Sequence, residues 1–168
     1  MNGRLMMLVL TTLLISTSAV VLATEKLPDT SEAVSTSAPV VVISGALTVN
    51  SPTWDRVFGG CLPLDCMSQV SDSGSDGQYY DAHCIQVSDS TPIEAIVDEN
   101  LTTIGDTVMT LYCDPFDPNN PMVNVVIYDD DGGAGLLSAF LVGGNITLTP
   151  GNMFWLVLST FSAGDVCV

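Results

Sequence analysis

The chain has 168 residues, 47% of them hydrophobic, with nineteen acidic side chains against three basic ones and a formal net charge of −16. A surface so negative repels phosphate backbones and anionic bilayers, which excludes nucleic acid and acidic lipid as partners. The length suits one domain around one main core, and the five cysteines fit an oxidising compartment.

Taken in chain order, Arg4 precedes an apolar run over residues 5–15 that only Thr11 and Thr12 interrupt, and Val21-Leu22-Ala23 closes the stretch. This is the pattern of a helical secretory signal, 1–23, cut after Ala23. The alternative is an uncleaved anchor helix, for which the run is short. The expected location is therefore secreted, extracellular or periplasmic, with no membrane insertion once the signal is gone. Cleavage leaves Lys26 and Arg56 against all nineteen acidic residues, a formal charge of −17. Residues 24–38 are Ser/Thr-rich and poor in apolar side chains, and read as a disordered leader.

From residue 39 to 168 the texture is that of β structure. Val40-Val41-Val42-Ile43 opens a strand over 39–49, and a short extended piece follows at 53–58. Residues 68–78, rich in Ser, Asp and Gly, read as a loop. Strands are predicted at 79–87, 92–97, 107–113, 122–128, 136–142, 145–148 and 153–161, with a last one starting at 166. The run 153–161 is the most hydrophobic and should be central. Short strands punctuated by Gly, Pro and Asp turns, with no amphipathic helix after residue 23, predict an all-β antiparallel β-sandwich of about eight or nine strands.

An odd number of cysteines leaves at least one free or paired with another chain. Cys61 and Cys66 lie close enough to close a small loop and form the expected disulfide. Cys84, Cys113 and Cys167 compete for a second. Zinc is disfavoured, because the chain has no CxxC and one histidine, His83.

The sharpest chemical feature is Asp129-Asp130-Asp131-Gly132-Gly133. Successive carboxylates repel one another, and glycine lets the backbone turn so that oxygens converge on one calcium ion. The competing reading is a plain acidic hairpin turn. If strands 107–113 and 122–128 are antiparallel neighbours, Asp106 joins Asp129, Asp130 and Asp131 at one end, while Asp114 and Asp117 lie at the other. Asp72, Ser73, Asp76 and Asp89 form a second acidic group, read as solvated. Trp54 and Tyr79 are the candidate exposed aromatics for stacking a ligand, and Trp155 is placed in the core. His83, on an alternating strand, reads as half-buried. No nucleophile elbow accompanies it, so no catalytic residue is assigned and the chain is read as no enzyme.

Several segments in this order and spacing carry a resemblance. They are Gly105-Asp106-Thr107 with Leu111-Tyr112, Phe116-Asp117-Pro118-Asn119-Asn120-Pro121, the turn 129–133, and Phe161 with Gly164-Asp165; Tyr80-Asp81 opens a similar strand. Together they resemble the bacterial pre-peptidase C-terminal (PPC) domain-like family, over roughly residue 42 to the C-terminus. The resemblance implies a jelly-roll-sized secreted sandwich with an accessory role and no catalytic set to carry over. His83 stands where that family has an aromatic, and the chain stops three residues after Asp165, where the family has a further strand. The expected function is an exported, non-catalytic module binding a surface polymer or another exported protein, with calcium as its cofactor. The first alternative is a structural envelope or matrix subunit, joined through a sheet edge or the odd cysteine. A remote one is a small secreted hydrolase or hydrolase inhibitor.

Overall fold

Every regular element among the described residues is a β-strand, as β-branched runs separated by Gly, Pro and Asp turns require. The computed structural model describes residues 40–57, 66, 70–88, 90, 92–141 and 146–165, together with the backbone of 11–16. The strands are β1 (Thr11–Ser16), β2 (Val40–Gly45), β3 (Thr53–Val57), β4 (Asp72–Gln86), β5 (Glu94–Val97), β6 (Thr107–Cys113), β7 (Val125–Asp129), β8 (Ala139–Phe140) and β9 (Met153–Thr160). They form a four-stranded sheet in the order β2-β1-β5-β8 and a five-stranded sheet in the order β3-β4-β9-β6-β7. Each of these pairings is antiparallel. The hydrophobic strand β9 is central, between β4 and β6, as its composition predicts.

Alternation along the strands divides the apolar side chains between two cores. Ala95 and Val97 of β5 and Phe140 of β8 meet Met109 and Leu111 of β6, Ile127 of β7, and Phe154, Leu156 and Leu158 of β9. These residues come from both sheets, so the main core lies between them. The opposite face of the five-stranded sheet is also covered. There Val108 and Tyr112 of β6, Val125, Tyr128 and Val157 pack with Trp54 and Val57 of β3. Every residue of β6 is consequently buried. Each large apolar side chain so buried contributes roughly 1.5–3 kcal/mol of transfer free energy.

Of the segment read as a signal, only Thr11–Ser16 is described; it is an extended strand paired with β2 on one side and β5 on the other. Its Thr and Ile content is compatible with that state, and a sheet slot satisfies its backbone groups on both edges. The rest of the signal segment, the cleavage position, the leader 24–38 and the strand at 166 lie outside the described residues. Other expectations are corrected. Most of the loop expected at 68–78 is strand: β4 starts at Asp72, and its first half pairs with β3. The Ser, Gly and Asp content misleads because this half is largely solvent-facing and irregular. Its register shifts twice against β3, and Gly74 and Gly77 take positive φ, which only glycine adopts freely. The strand expected at 136–142 shrinks to Ala139–Phe140. That expected at 145–148 is reduced to a single bridge between Thr147 and Pro92, with 142–145 outside the described residues.

The disulfide also differs. Cys66 bonds Cys113, 47 residues away, rather than Cys61. Proximity in sequence favours the short loop, but the fold brings Cys66 to the end of β6. Cys84 is free and exposed; Cys61 and Cys167 lie outside the described residues.

Candidate metal centre

The antiparallel pairing of β6 and β7 sets Met109 opposite Asp129. The residue before β6 and the residues after β7 therefore emerge at one end. Asp106 is fixed there by its main chain. It forms a bridge with Leu136, and its carbonyl accepts from the Phe161 amide at 3.3 Å. The turn after β7 is closed by Asp129, whose Oδ2 accepts from the amides of Gly132 at 2.9 Å and Ala139 at 2.8 Å. The Gly133 amide donates to the Leu137 carbonyl at 2.7 Å. Beneath the turn the Ser138 amide donates to Thr107 Oγ1 at 2.9 Å, and the two hydroxyls lie 2.8 Å apart. Close approach is what demands glycine here. A Cβ on Gly132 would stand 2.6 Å from the Asp129 carboxylate, and one on Gly133 would stand 2.6 Å from the Leu137 carbonyl oxygen.

With Asp129 committed to the turn, Asp130 and Asp131 project toward Asp106. One oxygen from each of Asp106, Asp130 and Asp131 lies within 4.8 Å of the other two. Three of the four predicted ligands thus converge, and the fourth positions them. Asp106 and Asp130 are half-buried and Asp131 is exposed. Oδ1 of Asp106 and Oδ1 of Asp130 are buried and accept no hydrogen bond among the described residues. Burial, and then the Asp131 charge, push both carboxyls above their ordinary range, while the Arg56 guanidinium opposes the rise.

Arg56 is the site residue that sequence reasoning missed. It is only 2% exposed, and its guanidinium sits over the Phe161 ring at 4.7 Å, a cation–π arrangement. Burial pushes the neighbouring Tyr128 phenol well up and the Asp130 charge adds to this; a hydrogen bond with Arg56 works against both. A signal for Arg56 existed. It is one of two basic residues after position 23 and lies in a strand beside a tryptophan, and a buried guanidinium needs carboxylates.

Three carboxylates facing one guanidinium, with the charges of Asp129 and Asp165 also acting on them, leave a surplus of negative charge, which a divalent cation would reduce. The donors are all oxygen, and calcium takes six to eight such ligands at flexible geometry. The residues present therefore fit calcium. Asp106, Asp130 and Asp131 would hold it, with water or main-chain oxygens completing the shell.

The other candidates fall elsewhere. Trp54 is not an exposed platform. It is 4% exposed and lies among Tyr80, Tyr112 and Phe116, with ring centroids 5.3, 6.1 and 5.7 Å away. Phe116, from the proline-rich loop, closes this cluster over the outer sheet face, so the ring is worth more buried than presented. Tyr79, next to it on β4, is half-buried and pairs with Thr53. Trp155 is half-buried at the cluster's rim, its indole donating to Asp114 at 2.8 Å. His83 is half-buried with Nε2 3.2 Å from Asp81, and this bond, opposed by burial, holds the Asp81 carboxyl below its ordinary range. In the second acidic group, Asp72 and Asp76 join Asp55 of β3, whose carboxyl is pushed up by burial and then by Asp72; Asp89 lies outside the described residues. No family model, curated protein or solved structure matches the chain.

Proposed function

We propose that the protein is an exported, non-catalytic binding module of PPC-like β-sandwich type, which engages a surface polymer or another exported protein through a calcium-organised acidic end. The observation that supports this is the convergence of Asp106, Asp130 and Asp131, with two buried carboxylate oxygens that accept no hydrogen bond among the described residues. Such oxygens carry the full cost of desolvation until a cation or water meets them. Bound calcium would supply charge neutralisation and hold the turn after β7 against the start of β6. The loops at this end would then form a preformed surface, which lowers the ordering cost of binding.

The test is thermal unfolding of the secreted protein with calcium and with a chelator, alongside calorimetric titration. A ligand that binds only the folded state at a hundredfold excess over its Kd adds about 2.7 kcal/mol. Asp130→Asn should remove most of that gain and weaken capture of the partner polymer. Identical melting with calcium and chelator would remove the ion from this account.

A further inference from the structure

The five-stranded sheet has an open edge along the second half of β4. β3 pairs with β4 only as far as Tyr79, while Tyr80–Gln86 pairs with β9 on the other side. Main-chain groups point to alternate sides along a strand. The Tyr80 amide donates to the Pro52 carbonyl on the β3 side at 3.0 Å, and the Val87 carbonyl accepts from the Gly151 amide on the β9 side at 3.1 Å. The amides and carbonyls of Ala82, Cys84 and Gln86 therefore face away from β9, and no strand among the described residues meets them. We propose that this edge pairs with the same edge of a second copy of the chain, antiparallel and about a two-fold axis at Cys84, so that two sheets become one. Neither calcium nor export enters this pairing.

The edge lacks the features that keep sheet edges apart. Such edges are commonly blunted by charge, proline or a bulge. Residues 82–87 hold no carboxylate, lysine or proline, in a chain with nineteen acidic side chains, and the register of β4 on β9 is unbroken. Beside the edge runs a groove of about 480 Å³, lined by Val41 and Ile43 of β2 and by Ile85, Val87 and Ile93. Val41 is 50% exposed there. A strand added to β4 would cover these side chains, its main chain giving affinity and its side chains register.

Cys84 selects a second copy as the occupant. It is free and exposed, it stands midway between Ala82 and Gln86, and an odd number of cysteines leaves one without a partner in its own chain. Two-fold pairing about Cys84 sets Ala82 opposite Gln86 of the second copy and sets Cys84 opposite itself. Residues that exchange both main-chain bonds have Cα atoms about 5.5 Å apart, inside the range of roughly 4.4–6.8 Å that a disulfide spans. The thiol rests 4.0 Å from the Met153 sulfur, and a change of χ1 rotamer turns it toward the edge. The same register lays Ile85 of one copy against the His83 ring of the other, whose Nε2 is engaged by Asp81. A strand from an unrelated protein would gain the main-chain bonds but no bridge at Cys84.

The experiment uses the whole chain, purified in air without reductant. Light scattering should show a dimer that resists dilution, and peptide mapping should recover Cys84 joined to Cys84. Cys84→Ser should still dimerise, now reversibly, and dissociate on dilution. In that background Gln86→Pro removes an amide that faces the open edge and leaves the ladder with β9 intact, while Val41→Asp puts a charge into the groove of each copy. Each should raise the dimer Kd by about tenfold or more, the loss expected where a hydrogen bond is left unmade or a charge is desolvated, with the circular dichroism spectrum unchanged. A monomer at every concentration, with its edge bare or holding a different protein, overturns the proposal. So does a dimer bridged through another cysteine or one whose Cys84 stays a thiol. A Cys84→Ser chain that never dimerises overturns it too, because the edge then contributes nothing, as does a Kd that neither substitution moves.

Discussion

At the residue scale the chemistry turns on how one buried guanidinium is balanced against three carboxylates. Replacing Arg56 with Met would keep the volume and leave Asp106 and Asp130 facing Asp131 without their counter-charge. Removing one partner of a buried ionic group costs roughly 3–5 kcal/mol, and the exposure of Asp131 places the expected loss near the lower end. Urea unfolding checks this, and calcium should recover part of the loss, because the site then carries one more negative charge. The pH dependence has a definite sign. Asp106 and Asp130 have carboxyls raised in the fold, so the folded state binds their protons more tightly than the unfolded chain. Without metal, stability should therefore rise as pH falls from 7 toward about 4–5, just above the unfolded carboxyl value. Asp81 acts oppositely. Its lowered carboxyl gives stability that is present above the unfolded value and lost only as pH falls through the folded one. With calcium the first trend reverses, since protons compete for the same oxygens. Melting temperatures across pH, with and without chelator, separate the two, and Asp106→Asn with Asp130→Asn should flatten both curves.

At the scale of elements, the outer face of the five-stranded sheet depends on pieces that a sequence reading treats as surface. Trp54 on β3 and Phe116 in the loop after β6 cover Tyr112. Trp54→Ala should cost about 3–5 kcal/mol, as for other buried aromatics, with no effect on ligand capture unless the fold is lost. Linkage of Cys66 to Cys113 ties the segment before β4 to the end of β6. Closing a loop of that size stabilises by about 4 kcal/mol on chain entropy alone. Reduction, or Cys113→Ser, should therefore lower the melting temperature, and peptide mapping without reductant should recover Cys66 joined to Cys113. The long strand β4 serves both ends of its sheet. Its first half holds β3, and through it Arg56, while its second half pairs with β9.

At the scale of the whole molecule, a formal charge of −16 is self-repelling, and its nineteen acidic side chains can be paired by only three basic ones. Added monovalent salt should stabilise the metal-free protein by screening, and a small concentration of calcium should do more than the same ionic strength of sodium.

What the sequence determined by itself is periodic or compositional. Alternation and β-branching gave the strand class and the central place of 153–161. The antiparallel hairpin logic around 107–128 placed Asp106 beside Asp130 and Asp131, because neighbouring strands bring sequence-distant ends together by a simple rule. Tertiary structure alone decided matters of partnership. Asp129 is spent on the amides of Gly132 and Ala139, Cys66 finds Cys113 rather than its near neighbour, and Trp54 lies beneath Phe116. Arg56 reaches a carboxylate cluster 50 and more residues away in the chain. Each depends on which surfaces of separate elements touch once the sheets have stacked, and one-dimensional spacing carries no record of that contact. The place of β1 belongs to the same class: its composition fits a signal and a strand equally well, and its pairing with β2 and β5 exists only in three dimensions.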